Sequence, residues 1–201
     1  INLSISVINT LGSNIMDEDQ FLGFAERLYY FVPTKLPKEL LKSMKDYCDS
    51  RDYENALVGP EPGEGRYVEH IRRSDVSWIN WDEWVPGIIH NMMISANNAL
   101  FKYDLTHFDC QIQSTIYEGK GTYYNWHVDN NTPYERDGVL MERKLSSSLI
   151  LSDPDEYEGG ELEFSYYSRK FLRVKPDAGT MVVFPSWLPH RVKPLRSGKR
   201  R

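Results

Sequence analysis

His127-Val128-Asp129 sets an imidazole and a carboxylate two residues apart. On an extended strand, residues at that spacing project from one face, so both groups can reach a common point as chelating metal ligands must. Such tripeptides also arise by chance, and alone this one decides nothing. A second imidazole, His190, follows the apolar run Met181–Phe184 after a Pro185-Ser186 turn. By itself His190 could be an ordinary core or surface histidine. Together, two imidazoles and a carboxylate are the facial donor set that holds a non-haem iron(II) ion and leaves adjacent coordination positions open. The same donors could hold a zinc ion with bound water for hydrolysis. Ten residues after His190 stands Arg200, whose guanidinium fork matches the planar carboxylate at the far end of a dicarboxylic 2-oxo acid. Ten residues before His127 stands Tyr117, a phenol that could donate to the same carboxylate or be a core aromatic. Hydrolysis gives no reason for these matched flanks. Arg196 and Arg201 compete for the anchoring role, with offsets from His190 that fit less well.

The elements that must carry these residues divide at about residue 110. From Cys110 onward, short apolar and β-branched runs alternate with turn residues, and the pattern predicts strands at Gln111–Tyr117, Tyr123–Asp129, Leu145–Leu151, Glu161–Tyr166, Phe171–Val174, Thr180–Phe184 and His190–Val192. Seven short strands at this spacing predict a sandwich or barrel. Upstream, apolar residues three or four apart predict helices over Gln20–Phe31, Pro37–Tyr47 and Trp81–Phe101, the last with a Trp84, Ile88, Met92, Ala96 stripe facing the core. The run Gly59–Gly65, with two prolines and three glycines, sustains neither helix nor central strand. It reads as a loop, a plain solvated one or a lid, and Arg72-Arg73-Ser74 follows it closely.

At 201 residues the chain suits one domain: helical support and a substrate loop over 1–109, and a β core over 110–201. Hydrophobic content of 40% and charged content of 26% belong to a folded globule. A net charge of −5 and a pI near 5.6 disfavour a nucleic-acid partner, although Lys199-Arg200-Arg201 is locally basic. Cys48 and Cys110 fit neither a disulfide framework nor a close-spaced zinc site, as is usual for a reducing compartment. No apolar run approaches a membrane span and no secretion signal opens the sequence, so the expectation is a soluble, cytoplasmic protein.

From about Gln111 to Arg200 the sequence resembles the prolyl 4-hydroxylase-type branch of the iron(II)/2-oxoglutarate-dependent dioxygenases. The resemblance rests on Tyr117-Glu118-Gly119, Tyr124 to Asn130 around the His-x-Asp, Arg143-Lys144-Leu145-Ser146, Gly159-Gly160-Glu161-Leu162, Gly179 to Ser186, and His190 through Gly198-Lys199-Arg200. It implies a mainly β fold with flanking helices (α+β): a double-stranded β-helix, or jelly roll, with helices packed outside. It implies His127, Asp129 and His190 as iron(II) ligands, Arg200 as anchor of the 2-oxoglutarate C5 carboxylate, Tyr117 assisting, and Ser148 and Ile150 lining the cosubstrate pocket. Some relatives place a second tyrosine at the position of Ile150, so that hydrogen bond is absent here. Gly159-Gly160-Glu161-Leu162 is then structural. The implied reaction couples decarboxylation of 2-oxoglutarate to succinate and CO2 with hydroxylation of a prolyl residue in a peptide or protein, with ascorbate dependence as a family expectation. A metal-binding module or sensor in the same jelly roll, without turnover, stays open, as does a nucleic-acid demethylase. The resemblance also implies a further strand beyond the anchoring arginine, where this sequence stops at Arg201.

Overall fold

The computed structural model describes residues 28–33, 35–58, 66–108, 111–130, 133–136, 138–166 and 170–201. Its strands are β1 (Tyr30–Phe31), β2 (Glu54–Asn55), β3 (Arg72–Arg73), β4 (Asp75–Asn80), β5 (Gln111–Glu118), β6 (Tyr123–His127), β7 (Tyr134–Arg136), β8 (Val139–Met141), β9 (Leu145–Leu149), β10 (Tyr157–Gly159), β11 (Leu162–Tyr166), β12 (Lys170–Val174), β13 (Met181–Pro185), β14 (His190–Val192) and β15 (Leu195–Arg200). Helix α1 spans Lys38–Asp49 and α2 spans Trp84–Ala96, the latter running into a π-helical turn at Asn97–Phe101.

Eight of these strands form four nested antiparallel pairs. The hairpin β11–β12 is innermost, then β9–β13, then β6–β14, and outermost β5–β15. A long hairpin whose successive pairs fall alternately in two facing sheets is a jelly roll, and the core shows the alternation. Tyr117 of β5, Val182 and Phe184 of β13 and Leu195 of β15 pack against Leu162, Phe164, Val174 and Val192 of β11, β12 and β14. On the other side of the first layer, Met181 and Val183 of β13, with Ile79 of β4, meet Met44 and Cys48 of α1 and Val85, Ile89, Met92, Met93 and Ala96 of α2. Strand β13 thus alternates between two cores, and all five of its residues are buried, as its unbroken apolar run requires.

The sequence expectations for the strands hold in their centres and differ at their ends. Tyr30–Phe31, expected at the end of a helix, is a strand pairing with Val183 and Val182 of β13; its aromatic residues suit an edge strand, and Pro33 stops a helix here. The rest of the Gln20–Phe31 expectation, the Gly59–Gly65 loop and Cys110 lie outside the described residues. Strands β3 and β4 stand between the expected helices, where no strand was expected, with β4 paired along its whole length to β5. Helix α1 begins after Pro37, as expected. The buried face of α2 is Val85, Ile89, Met92, Met93 and Ala96, with Trp84 42% exposed, so the stripe is rotated from the one expected. A helix that is apolar on nearly every side leaves the choice of face to tertiary packing. Leu195–Arg200, which carried no strand signal, is the closing strand β15. Among the described residues no helix is long and apolar enough to cross a membrane.

Candidate metal centre and cosubstrate anchor

His127 ends β6 and His190 begins β14, and the two are direct cross-strand partners with ring centroids 4.1 Å apart. Asp129 lies just past the strand, where its N–H donates to Ser186 O at 2.9 Å. The expected strand to Asp129 therefore stops at His127, and the carboxylate is aimed by a loop contact rather than by strand alternation. That loop is itself fixed: Ser186 N–H donates to Lys144 O at 3.0 Å, and the Ser186 and Ser146 hydroxyls bond at 2.9 Å. Asp129 Oδ1 lies 3.6 Å from His127 Nε2 and Oδ2 lies 3.6 Å from His190 Nε2. One ligand atom from each residue falls within 4.8 Å of the other two. The carboxylate stands beyond hydrogen-bond reach of both imidazoles, a spacing that suits one ion touching all three donors.

The imidazoles are oriented by one device used twice. His127 Nδ1 bonds Asn125 O at 2.7 Å, and His190 Nδ1 bonds Leu188 O at 2.9 Å. A carbonyl oxygen only accepts, so each Nδ1 carries the proton and each Nε2 turns a lone pair to the site. Burial, and then the neighbouring His190, push the His127 imidazole down from 6.5 to about 4, so it is uncharged at neutral pH. Two neutral nitrogens and one carboxylate fit a divalent cation.

The outermost nested pair adds the second half of the site. Arg200 of β15 is the cross-strand partner of Tyr117 of β5, with its guanidinium 5.4 Å over the Tyr117 ring. Both are buried, at 5% and 4% exposure. Among the described residues no carboxylate pairs with Arg200. Its two competitors are satisfied elsewhere: Arg196 is exposed beside Glu158, and Arg201 pairs with Asp49 at 2.7 Å and Glu156 at 3.2 Å. A buried, unpaired guanidinium is costly unless an anion joins it, so Arg200 fits the far carboxylate of a dicarboxylic cosubstrate. Tyr117 to His127 and His190 to Arg200 are equal spacings because each pair sits directly across one rolled hairpin. Ser148 of β9 is partly buried opposite Val182, and so faces the same interior as Phe184, whose ring lies 4.7 Å from that of His190.

Sequence reasoning missed Tyr124. Its ring stacks on His127 at 3.6 Å and 14°, and the Arg72 guanidinium lies 4.4 Å over its other face. Residues three apart on a regular strand face opposite ways, but here Tyr124 and His127 of β6 oppose Val192 and His190 of β14. That extra residue is a bulge that re-aims Tyr124 onto the imidazole, and no local residue type announces it. Arg72, noted in the sequence only for following the Gly59–Gly65 run closely, is buried and bonds Ser74 Oγ at 2.7 Å and Gln113 Oε1 at 2.7 Å. Tyr157 was also missed; it is buried beside Arg200.

Comparison with known proteins gives the chain its family. The family model of the 2OG-Fe(II) oxygenase superfamily matches residues 111–201. A PKHD-type hydroxylase of Shewanella sp. (strain MR-7) is 38% identical over 174 residues, 84% of this chain and 73% of that protein. A PKHD-type hydroxylase of Nitrosomonas europaea is 40% identical over 151 residues, 71% of this chain, and the match spans 61% of that relative's length. The chain belongs to the 2OG-Fe(II) oxygenase superfamily, and the relatives it matches are PKHD-type hydroxylases. Two solved structures share the fold. A Pseudomonas putida prolyl-4-hydroxylase has a TM-score of 0.66 at 23% identity, covering 88% of this chain and 90% of that one. A Trichoplax adhaerens prolyl hydroxylase, in complex with a hypoxia-inducible-factor peptide fragment, has a TM-score of 0.67 at 19% identity, covering 92% and 90%.

Proposed function

We propose that this protein is an Fe(II)- and 2-oxoglutarate-dependent oxygenase that hydroxylates a prolyl residue in a peptide or protein. The observation that carries the reading is the meeting of His127, Asp129 and His190 at one point, with a buried Arg200, which no carboxylate of the described residues pairs, on the next turn of the same hairpin. Iron(II) with 2-oxoglutarate and oxygen supplies the oxidation, releasing succinate and CO2 and inserting one oxygen atom into a C–H bond. The protein supplies position. His127 and His190 present fixed lone pairs, Asp129 neutralises part of the cation's charge, and Arg200 with Tyr117 orients the cosubstrate from its far end. The Phe164 and Phe184 rings lie beside His190 and wall the interior on that side.

A peptide substrate is supported by the Trichoplax neighbour, captured with one. Ascorbate as reductant, and a cytoplasmic location consistent with the buried free thiol of Cys48, belong to the same reading. The test is anaerobic addition of Fe(II) and 2-oxoglutarate, which should give the visible charge-transfer band of the chelate. Admission of air with proline-containing peptides should then yield succinate and a gain of one oxygen in a peptide. His190→Ala should give neither. A band without succinate under any substrate would instead identify a metal-binding sensor.

A further inference from the structure

The inner face of the β10–β15 seam holds a second phenol beside the anchor. Tyr157 of β10 stands opposite Gly198 of β15, and Arg200, two residues on, shares its face as the diagonal neighbour. The strands approach so closely that a Cβ on Gly198 would lie 2.1 Å from Glu156 O and 2.7 Å from Tyr157 Cα, at a backbone φ of +83° that favours glycine. With no side chain at 198, the Tyr157 ring reaches over toward Arg200. Gly160 opens the same corner: one point, where its Cβ would sit, is 3.2 Å from Arg200 Cδ and 3.6 Å from Tyr157 Cδ2. The Gly159-Gly160 turn is thus the clearance that lets anchor and phenol meet.

Tyr157 is 4% exposed and shares one core with Tyr117. The Lys175 ammonium lies 4.4 Å over its ring and donates to Pro154 O at 3.0 Å and Tyr157 O at 3.1 Å, which pins the ring. Burial raises the phenol above its ordinary value, against the opposing pull of the neighbouring Arg200, so the proton stays on. Toward a guanidinium, which only donates, the phenol oxygen can only accept, so the phenol proton is left to donate elsewhere. Among the described residues no protein acceptor receives it. At the position of Ile150, buried and aliphatic, no hydroxyl is available.

We infer that Tyr157 is a second phenolic contact of the cosubstrate anchor, accepting from Arg200 and donating to the same distal carboxylate, and so selecting a dicarboxylic 2-oxo acid over a monocarboxylic one. This rests on the reading of Arg200 as that carboxylate's anchor. Selectivity follows from the unmade bond: a 2-oxo acid that ends in a methyl leaves both the guanidinium and the phenol without an acceptor.

The test compares 2-oxoglutarate with 2-oxopentanoate, which keeps the chelating end and chain length but ends in a methyl. Dissociation constants are read anaerobically from the charge-transfer band of the Fe(II)-loaded protein, without turnover. Tyr157→Phe should weaken 2-oxoglutarate about tenfold and leave 2-oxopentanoate unchanged. Tyr157→Gln, which keeps a donor but loses the ring, should recover part of the preference. Equal weakening of both acids, or a preference that survives in the Phe variant, overturns the assignment. Arg200→Lys separates the two failures. If it narrows the preference and Tyr157→Phe does not, only the phenol's role is lost; if neither does, the anchor reading is lost as well.

Discussion

The sheet formed by β12, β11, β14 and β6 has two faces, and they treat charge in opposite ways. On the outer face Glu163 is fully covered, yet Arg191 donates to its Oε2 at 2.7 and 2.6 Å, Arg173 donates to its Oε1, and Lys193 stands 3.7 Å away. Arg191 also lies 4.6 Å over the Trp126 ring, which stacks on Phe171. On the inner face His190 and His127 alternate with those same residues, and around them stand Asp129 at 28% side-chain exposure, Arg72 and Arg200. Among the described residues the ionised groups there hold no ion pair with each other, and Asp129 faces only the two uncharged imidazoles at 3.6 Å. One residue along a strand separates charge that the protein satisfies from charge that it leaves for a ligand. Stability should therefore follow the outer face and binding the inner one.

The largest effect expected is on the inner face. Asp129→Ala removes a first ligand and its charge, so Fe(II) affinity, followed by competition with a chromophoric chelator, should fall by more than about a hundredfold. The metal-free protein should unfold at the same temperature as wild type or higher, because among the described residues the carboxylate has no hydrogen-bond partner, only the two imidazoles at 3.6 Å. A large drop in that temperature would mean that Asp129 is structural and would break the contrast. On the outer face the pattern should invert. Glu163→Gln strands two or three cations and should cost about 1–3 kcal/mol in denaturant unfolding. Fe(II) affinity should stay within about twofold, since Glu163 points away from the ligands. A variant that loses metal as readily as stability would show the two faces to be one unit.

The contrast was legible in the sequence only in part. His127, Asp129 and His190 stand out because few other functions need that donor set, and Arg200 because its offset mirrors Tyr117. Equal offsets are a property of a hairpin rolled on itself, so the sequence carried topology as well as chemistry. Tyr124 was hidden by the bulge in β6, and Tyr157 by a strand of three residues that only β15 defines. Strand β15 escaped because Arg196-Ser197-Gly198-Lys199 has neither apolar alternation nor β-branched residues. It is a strand because Tyr117, Glu118 and the β10 backbone pair with it. Glu163 reads as an ordinary polar position between Leu162 and Phe164. Its burial depends on arginines ten and twenty-eight residues away.

Acid sharpens the comparison further. Burial alone would raise the Glu163 carboxyl, but the hydrogen bonds from Arg191 and Arg173 outweigh it and hold the group below the usual carboxylate range. A carboxyl depressed in the folded state stabilises the fold above its unfolded value, and that contribution is lost as pH falls through the folded value. The stability gap between wild type and Glu163→Gln should thus be full at neutral pH and shrink below about pH 4. Chemical unfolding at a series of pH values reads it directly. A gap that stays constant into acid would assign the cost to packing rather than to charge.

The smallest effect expected tests which of the three cations matters. Lys193 Nζ lies 3.7 Å from both Glu161 and Glu163, outside hydrogen-bond reach, on a side chain 28% exposed. Its attraction is therefore Coulombic, shared between two carboxylates and screened by solvent, and Lys193→Ala should cost no more than about 0.5 kcal/mol. That cost should vanish in high salt. Arg191→Lys keeps the charge but loses the guanidinium's two contacts on Glu163 and the flat contact on Trp126, so it should cost more, about 1 kcal/mol, and persist in salt. If the lysine variant proved the more damaging of the two, net charge rather than hydrogen-bond geometry would be what holds the outer face together, and the distinction between satisfied and waiting charge would need to be redrawn on electrostatic potential instead of on partners.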